Sequence, residues 1–320
     1  MSTTAQVAAE KSSGERLTSV SASPGQSGLV LVNYGKSVLV EDTTGRLYRC
    51  AVRRSLKQIV CGDRVAWEPV GTQEGVINAI KPRNTVLQRA DSANRTRVLA
   101  ANIDQMLIVA APQPAHDVFL IDRYLVAAEL AGATPILVAN KSDLFAPQIA
   151  DTASDTLQEY GAIGYTILMT SAKENAGIDD LAQALDNRTS ILVGQSGVGK
   201  SSLIKRLLPE RDILIGKLSD ASGKGCHTTT TTTLYHLPQG GDLIDSPGVR
   251  DFRLGETDPA DLARGYREFR PYLGLCRFQD CRHLSEPGCA VKEAQREGII
   301  SKRRLISYRN LVNGGQAAGH

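Results

Sequence analysis

Apolar residues between positions 29 and 80 occur in short runs that are separated by turn-forming residues. The runs are LVLVN, SVLVE, RLYRCAV, RVAWEP and VINAI, and each segment between them contains a glycine. Short runs of this kind, rich in β-branched residues, are typical of β-strands. Five strands in so short a stretch predict a small closed barrel, for which an oligonucleotide-binding (OB) fold fits best and an SH3-like barrel is the alternative.

From position 103 onward, apolar runs alternate with segments that have the apolar spacing of helices. Alternating strands and helices predict a parallel sheet with helices on both faces. In such a sheet, ligands bind at the carboxyl ends of the strands. The predicted strands are residues 106–110, 135–139, 165–169, 190–193 and 242–244, and the predicted helices are residues 118–131, 147–160 and 178–185.

The flanking regions complete a multi-domain organisation. Residues 1–28 contain few large apolar residues, so a disordered arm is expected there. Further helices are predicted at residues 259–269 and 291–312, near the end of the chain. The expected domains are a barrel at 29–90, an α/β domain at 91–255, a helical domain at 256–313 and a disordered tail at 314–320, with a basic linker over 81–97.

The composition is that of an ordinary folded protein, with 42% apolar residues, 22% charged residues and a net charge of +3. This charge is too small to indicate a nucleic-acid partner by itself. No apolar run approaches the ~18 residues of a membrane span, and the first residues lack the apolar core of a signal peptide. Six cysteines without a secretion signal suggest thiols or metal ligands. We therefore expect a cytoplasmic protein with no membrane partner.

Residues 194–202 read GQSGVGKSS and contain the phosphate-binding pattern G-x-x-x-x-G-K-[ST]. A predicted strand precedes the segment, and a predicted helix at 202–208 follows it, which is the context that the pattern needs. Backbone N–H groups and the helix N-terminus bind phosphate in such loops. Lys200 is expected to reach the outer phosphates and the Ser201 hydroxyl to hold Mg²⁺. The expected nucleotide contacts are Gly194, Gln195, Ser196, Gly197, Val198, Gly199, Lys200, Ser201 and Ser202.

Two short motifs that follow predicted strands are suited to a guanine base. The Asp143 carboxylate can accept hydrogen bonds from the guanine ring N–H and amine, and adenine offers no such donor pair. Asn140 is expected to brace the base and the neighbouring loops, the Lys141 stem to cover the ring, and a backbone N–H of the second motif to donate to the guanine oxygen. The motifs are N-K-S-D (Asn140, Lys141, Ser142 and Asp143) and S-A-K (Ser171, Ala172 and Lys173).

Two later motifs are typical of the GTPase segments that respond to the γ-phosphate. His227 is followed by six threonines, one of which can present its hydroxyl to Mg²⁺. Residues 228–230 are all candidates, and Thr229 is the expected ligand. Asp245 and Gly248 form D-x-x-G. Asp245 is expected to hold Mg²⁺ through water, and the Gly248 N–H to sense the γ-phosphate.

The five motifs occur in an unusual order. GTPases commonly run from the phosphate loop through the switch threonine and D-x-x-G to N-K-x-D and S-A-K, whereas here the last two motifs come first. This order predicts a circular permutation in which residues 186–190 join the usual termini, which often lie close together. The segment after Gly248 then leads directly into the C-terminal domain. We therefore expect the presence or absence of the γ-phosphate to affect that domain through this segment.

Three cysteines and a histidine near the C-terminus form the compact motif C-x4-C-x-H-x5-C. Three thiolates and one imidazole make a closed tetrahedral set, which predicts a structural and not a catalytic Zn²⁺. Cys50 and Cys61 are expected in the barrel, and Cys226 has no assigned role. The expected zinc ligands are Cys276, Cys281, His283 and Cys289.

The permuted motif order, together with the Cys/His motif, resembles the ribosome small-subunit-dependent GTPase family, RsgA or YjeQ, over about residues 29–312. The resemblance implies a protein that binds the small ribosomal subunit late in assembly and whose GTP hydrolysis the subunit stimulates. Val249 stands where many GTPases have a glutamine that orients water. His227 is therefore the expected catalytic residue, and the resemblance indicates the same histidine. We expect a monomer that converts GTP to GDP and phosphate.

Basic residues cluster at residues 46–57, 81–97 and 264–309. The last segment contains eleven Lys/Arg and five acidic residues, and includes the run Lys-Arg-Arg at 302–304. Such clusters are commonly solvated surfaces. Together with the resemblance, they favour binding to rRNA phosphates, which should weaken steeply with salt. The alternative function is a GTPase linked to RNA or translation but acting outside small-subunit maturation.

Overall fold

The computed structural model describes most of the chain. Arm residues 1–24, tail residues 315–320 and the predicted site residues His227, Thr229 and Gly248 lie outside its described stretches. Among the helices that it describes, none is both long and apolar enough to cross a membrane. The described stretches are residues 25–56, 58–91, 95–115, 117–145, 152–210, 231–246, 252–255 and 257–314.

The N-terminal part is a closed five-stranded barrel, as predicted. Its strands are β1 (Gln26–Asn33), β2 (Val38–Asp42), β3 (Leu47–Val52), β4 (Arg64–Pro69) and β5 (Glu74–Ile80). They follow the order β1-β2-β3-β5-β4, and β4 pairs back with β1 to close the barrel. Because β3 and β5 are parallel neighbours, the connectivity is that of an OB fold and not of a simple meander.

Trp67 is fully buried in the barrel core. Two glycines make room for its indole, since a Cβ on Gly28 would lie 2.8 Å from the indole Nε1 and a Cβ on Gly75 would lie 2.6 Å from the ring. Gly28 lies within β1, whose pairing with β4 begins at Gln26, which is aligned with Trp67. The strand therefore begins before the predicted boundary at residue 29, and the predicted arm is too long by these few residues.

The predicted linker at residues 81–97 is wrong, because most of it forms an antiparallel hairpin. The hairpin consists of β6 (Val86–Ala90) and β7 (Thr96–Ala101). Its apolar residues, including Leu87 and Ala100, are buried against the α/β domain. β6 therefore packs on the helix at residues 118–131 of the α/β domain, although the barrel was expected to extend to residue 90. β7 also contacts the barrel, through a bridge between Ala100 and Cys61. Arginines interleaved with the apolar residues obscured the strand pattern in the sequence.

The α/β domain contains a six-stranded sheet in the order β10-β9-β8-β11-β13-β12, parallel except for β12. β12 also pairs with β1 of the barrel, through Val32 and Thr233, so the two domains share one continuous sheet. The strands are β8 (Gln105–Ala110), β9 (Thr134–Asn140), β10 (Thr166–Thr170), β11 (Thr189–Gly194), β12 (Thr233–His236) and β13 (Asp242–Asp245).

Helices cover both faces of this sheet, as predicted. The helices are α1 (Val118–Ala131), α2 (Thr152–Ile163), α3 (Ile178–Leu185) and α4 (Lys200–Leu207). Along β8, Met106 and Ile108 pack in the cluster that includes residues of α1 and α2. Leu107 and Val109 pack in the cluster that includes residues of α3 and α4. The alternation explains why every residue of β8 is buried, and the carboxyl ends of the strands remain the open edge.

The C-terminal module consists of short helices. They are α5 (Pro259–Arg264), a 3₁₀ segment (Arg267–Tyr272), α6 (Ala290–Arg296) and α7 (Lys302–Val312). The predicted helix at 291–312 is thus two helices, because the chain turns at Gly298, where φ is +79°, and Ser301 caps α7 by accepting from the Arg304 N–H. The predicted helix at 259–269 ends at Arg264 and continues only as 3₁₀ turns.

Buried ion pairs join this module to the α/β domain. Arg304 of α7 is fully buried, and its guanidinium lies 2.5 Å from Asp122 Oδ1 in α1 and 2.5 Å from Glu268 Oε1. Arg303 Nη1 lies 2.9 Å from Asp122 Oδ2. The expectation that the run at 302–304 forms an rRNA-binding surface is therefore wrong for both arginines, whereas Lys302 is exposed.

The basic cluster at 81–97 is also partly neutralised within the protein. Arg83 Nε lies 2.7 Å from Asp63 Oδ1, whose side chain is fully buried. Arg95 and Arg97 both pair with Asp91. These arginines consequently contribute less positive surface than the sequence suggests.

Candidate nucleotide site and cysteine-histidine cluster

The phosphate loop connects β11 to α4, as predicted, and its glycines are required by the backbone. Gly194 has a φ of +140°, and a Cβ there would lie 2.3 Å from the Val109 carbonyl oxygen. Gly199 has a φ of +97°, and a Cβ there would lie 2.2 Å from Asn140 Nδ2. Other residues would be strained in this backbone. The sequence therefore folds the loop tightly onto the neighbouring strand ends.

Two lysines hold the loop through its carbonyl groups. Lys200 Nζ donates to the carbonyl oxygens of Gly194 and Gln195, each at 2.6 Å. Lys141 Nζ donates to the carbonyl oxygens of Gly197, at 2.9 Å, and Gln113, at 2.7 Å. Both ammonium groups thus lie on the loop, where they add positive potential to that of the helix N-terminus.

Asn140 links the two predicted base motifs to the phosphate loop. Its side chain is buried, and Nδ2 donates to the Val198 carbonyl oxygen at 2.9 Å. Its Oδ1 accepts from the Thr170 hydroxyl at 3.2 Å and from the Ala172 N–H at 3.3 Å. The bracing role expected for Asn140 toward neighbouring loops is therefore present in the geometry. The Ala172 N–H, one of the backbone donors of the S-A-K motif, donates to Asn140.

Asp143 presents a charged acceptor at the same edge of the sheet. Its Oδ1 accepts from the Ser171 hydroxyl at 2.6 Å, and Lys173 Nζ lies 4.0 Å from Oδ2. The hydrogen bond from Ser171 lowers the pKa of Asp143 below its usual value, although burial opposes this effect. The carboxylate is therefore ionised at neutral pH and can accept two further N–H donors. Ser142 lies beside it, in the 3₁₀ segment Ser142–Leu144.

Asp245 ends β13, the strand next to β11, and is aligned with Leu192. This alignment places it at the carboxyl edge where the phosphate loop begins. Ser201 and Ser202 are exposed in the first turn of α4. The remaining predicted switch residues, His227, Thr229 and Gly248, lie outside the described stretches.

Sequence reasoning missed two contributors to this site. The loop after β8 packs on the phosphate loop, since the Asp117 N–H donates to Gln195 Oε1 at 3.3 Å and a Cβ on Gly197 would lie 3.3 Å from Pro114. Its position at the carboxyl end of a strand beside β11 was an available signal. The second contributor, Arg206 of α4, bonds to the S-A-K turn and carries no motif signal.

The four predicted metal ligands converge in the C-terminal module. The ligand atoms of Cys276, Cys281, His283 and Cys289 all lie within 4.8 Å of one another. Cys276 Sγ is 3.9 Å from Cys289 Sγ, and His283 Nδ1 is 3.5 and 3.3 Å from these two sulfurs. Tetrahedral coordination with ~2.3 Å metal–sulfur bonds separates sulfurs by about 3.8 Å. The donor set and its dimensions therefore fit a four-coordinate metal ion.

The loop that carries the cluster is braced by Glu286 and Tyr308. The Glu286 carboxylate accepts from the N–H groups of Arg282, Leu284 and Ser285, and these bonds lower its pKa against the opposing effect of burial. The Tyr308 hydroxyl donates to the Arg282 carbonyl oxygen at 2.8 Å. The loop geometry thus depends on surrounding residues as well as on a metal.

The sheet is mostly parallel, and its strand ends carry a phosphate loop, N-K-S-D and S-A-K in permuted order. Together with the N-terminal barrel and the C-terminal Cys/His module, these features define a circularly permuted GTPase. A family model described as RsgA GTPase matches residues 80–255. The chain is also 50% identical over 295 residues to the small ribosomal subunit biogenesis GTPase RsgA of Chromohalobacter salexigens, covering 91% of this chain and 86% of that protein. The chain belongs to the RsgA GTPase family.

Solved structures support the same assignment. YjeQ from Thermotoga maritima matches with a TM-score of 0.71 at 31% identity, over 91% of this chain and 99% of that one. YloQ, described as a circularly permuted GTPase, matches with a TM-score of 0.68 at 27% identity, over 92% of this chain and 96% of that one. The predicted permutation and three-part fold are therefore confirmed.

Proposed function

We propose that this chain hydrolyses GTP in the biogenesis of the small ribosomal subunit. One observation carries the proposal: Asn140 joins N-K-S-D directly to the phosphate loop, and one nucleotide requires its base-binding and phosphate-binding segments to be adjacent in this way. The extensive identity to a protein named for small-subunit biogenesis supplies the biological setting. Both arguments point to a guanine nucleotide as the ligand.

In this proposal, residues 194–202 hold the phosphates with backbone N–H groups, and Lys200 neutralises the outer phosphates. Asp143 accepts from the guanine ring N–H and amine, Lys141 covers the ring, and the turn of Ser171, Ala172 and Lys173 donates to the guanine oxygen. Mg²⁺ bound with the nucleotide neutralises charge that develops on the phosphates. The residues assigned to hold it are Ser201, Thr229 and Asp245.

Water activation requires a residue other than the usual glutamine, because Val249 follows D-x-x-G. We assign this role to His227, whose imidazole can position water or take up its proton. A partner is expected to fix the segment that carries His227, so hydrolysis by the protein alone should be slow and should be accelerated by that partner. Gly248 is assigned to sense the γ-phosphate.

The Cys/His cluster is proposed to hold one structural Zn²⁺, since three thiolates and an imidazole leave no open coordination position. The partner is proposed to be the small subunit and its rRNA, contacted by basic residues that remain at the surface, such as Arg53 and Lys302. The protein is proposed to act as a monomer.

The decisive experiment measures GTP hydrolysis by the full-length protein alone, with purified small subunits and with purified large subunits. Specific stimulation by small subunits supports the proposal, whereas equal rates in all three reactions contradict it. Stimulation by both subunits would favour a broader role in translation. His227→Ala should abolish the stimulation and retain GTP affinity, and normal stimulated turnover in this variant would remove His227 from the mechanism.

A further inference from the structure

Arg206 lies outside all five nucleotide motifs, yet it bonds to one of them. Its Nε donates to the Ala172 carbonyl oxygen at 2.8 Å, and its Nη2 lies 3.4 Å from the Lys173 carbonyl oxygen. We propose that Arg206 is a positioning residue for guanine selectivity, acting through the main chain of the S-A-K turn. This inference rests on the proposed function, because it concerns the base site of the same nucleotide.

The first step of the argument is the planarity of the peptide group. In a trans peptide, the carbonyl of one residue and the N–H of the next point in opposite directions. The hydrogen bond from Arg206 to the Ala172 carbonyl therefore fixes the direction of the Lys173 N–H. That N–H faces away from Arg206, and it is a main-chain donor of the turn assigned to the guanine oxygen.

The second step connects Arg206 to the carboxylate that reads the guanine edge. The contact with the Lys173 carbonyl fixes the Glu174 N–H in the same way, and this N–H donates to the Ser171 hydroxyl oxygen at 3.2 Å. The Ser171 hydroxyl in turn donates to Asp143 Oδ1 at 2.6 Å. The Arg206 guanidinium thus supports the Lys173 N–H through the Ala172 carbonyl. It also supports the Asp143 carboxylate, through the Lys173 carbonyl, the Glu174 N–H and the Ser171 hydroxyl.

The third step is that these bonds close a ring with the phosphate loop. The Ala172 N–H donates to Asn140 Oδ1, and Asn140 Nδ2 donates to the Val198 carbonyl oxygen. The loop then leads into α4, which carries Lys200 at its first residue and Arg206 in its last turn. Six helical residues hold these two side chains about 9 Å apart along the axis. A single rigid helix therefore sets the spacing between the phosphate and base sites.

A simpler role for Arg206 would be to stabilise the C-terminal end of α4, where any cation is favourable. A lysine at this position would keep the charge but lose the planar fork that spans two carbonyl oxygens. Arg206→Lys therefore separates the two roles. Lys205 provides a matched control because it is the adjacent exposed cation on α4, and among the described residues it has no hydrogen bond to the turn.

The test is a competition titration of full-length wild type, Arg206→Met, Arg206→Lys and Lys205→Met with GDP and ADP. Arg206→Met is expected to lose about 10- to 150-fold in GDP affinity, the range of one lost charge-assisted hydrogen bond. Its ADP affinity should be unchanged, so the GDP/ADP ratio falls by the same factor. Arg206→Lys should recover only part of the ratio, and Lys205→Met should match wild type.

Three outcomes would overturn the inference. They are an unchanged GDP/ADP ratio in Arg206→Met, an equal loss of both nucleotides, and full recovery in Arg206→Lys. The melting temperature of each variant shows whether the variant is folded. A loss of selectivity leaves ADP binding intact, whereas a loss of folding removes the binding of both nucleotides. If wild type itself shows no preference for GDP, the proposed function fails along with the inference. Failure of the inference alone leaves the wild-type preference in place.

Discussion

The carboxyl edge of the α/β sheet and the interface with the C-terminal module use polar residues in opposite ways. At the edge, Asn140 Nδ2 and Lys141 Nζ donate to backbone carbonyls, and the Asp143 carboxylate remains able to accept further donors. At the interface, Arg304 and Asp122 are both fully buried and bond to each other. The first region keeps hydrogen-bonding capacity for a ligand, whereas the second uses its capacity within the protein.

The difference shows why a charge cluster in a sequence is weak evidence for binding. Both the run at 302–304 and the N-K-S-D motif suggested a function from sequence. Only the N-K-S-D motif follows a strand directly, and it lies at the carboxyl edge of the sheet. Removing a buried charge partner is costly, while a surface acceptor contributes little to folding. Variants in the two regions should therefore affect different measurements, and the following predictions test this separation.

The largest effect is expected from removing a ligand of the Cys/His cluster. Cys289→Ser should abolish binding of the metal and unfold the C-terminal module, because structural Zn²⁺ contributes about 10–16 kcal/mol in small domains. Metal content per protein and limited proteolysis of residues 257–314 measure this change. GDP affinity should stay within about threefold of wild type, since the cluster packs in the core of the C-terminal module and none of its described hydrogen bonds reaches the phosphate loop or N-K-S-D. Loss of GDP binding would show that the two regions are not separable.

Breaking the buried interface should have the next largest effect. Arg304→Met leaves Asp122 and Glu268 without their shared cation, which is expected to lower the free energy of unfolding by about 3–5 kcal/mol. Urea denaturation measures the loss. Lys302→Met is the matched control, because its exposed cation should change stability by less than about 0.5 kcal/mol. Equal effects of the two substitutions would contradict the assignment of Arg304 to the interior.

A substitution at the nucleotide edge should show the reverse pattern. Asp143→Asn replaces an acceptor with an amide that donates toward the guanine amine, so GDP affinity should fall at least about a hundredfold. Xanthosine diphosphate should bind better, because its second carbonyl accepts from the new amide. The midpoint of urea denaturation should barely move. Unchanged GDP affinity would remove Asp143 from the base site.

Local patterns predicted the elements that position the site. The helix Val118–Ala131 and the helix Ile178–Leu185 agree with the sequence at both ends, because their apolar spacing and caps are local signals. The phosphate loop could equally be predicted from the sequence, because its backbone conformation requires the glycines of the motif. The order of motifs along the chain was also sufficient to predict the permutation.

Contacts between segments that are distant in sequence could not be predicted, because no local pattern of residues encodes them. The pairing of Arg304 with Asp122 joins residues 182 positions apart, and the contact of Arg206 with Ala172 depends on how α4 lies against the turn. The hairpin of β6 and β7 was missed because arginines interrupt its apolar alternation. Each case depends on tertiary packing, which overrides the charge pattern that a sequence displays.

The smallest predicted effect concerns a third interface, where the barrel meets the α/β domain. His236 of β12 lies between two carboxylates, with Nδ1 2.6 Å from Asp242 Oδ1 and Nε2 2.7 Å from Glu41 Oε2 in the barrel. The hydrogen bond to Asp242, followed by that to Glu41, raises the pKa of His236 from 6.5 to about 10. The imidazolium is therefore present at neutral pH and joins the two domains.

Because the folded-state pKa of His236 is raised, its contribution to stability is complete below pH 6.5 and is lost as the pH rises toward about 10. The side chain is half exposed, so solvent screening limits the contribution to about 1 kcal/mol. Urea denaturation of wild type and His236→Gln at pH 6, 8 and 10 measures it, since other titrating groups are common to both proteins. The difference in unfolding free energy should shrink with rising pH. A constant or growing difference would show that the charge on His236 does not stabilise the contact between the barrel and the α/β domain.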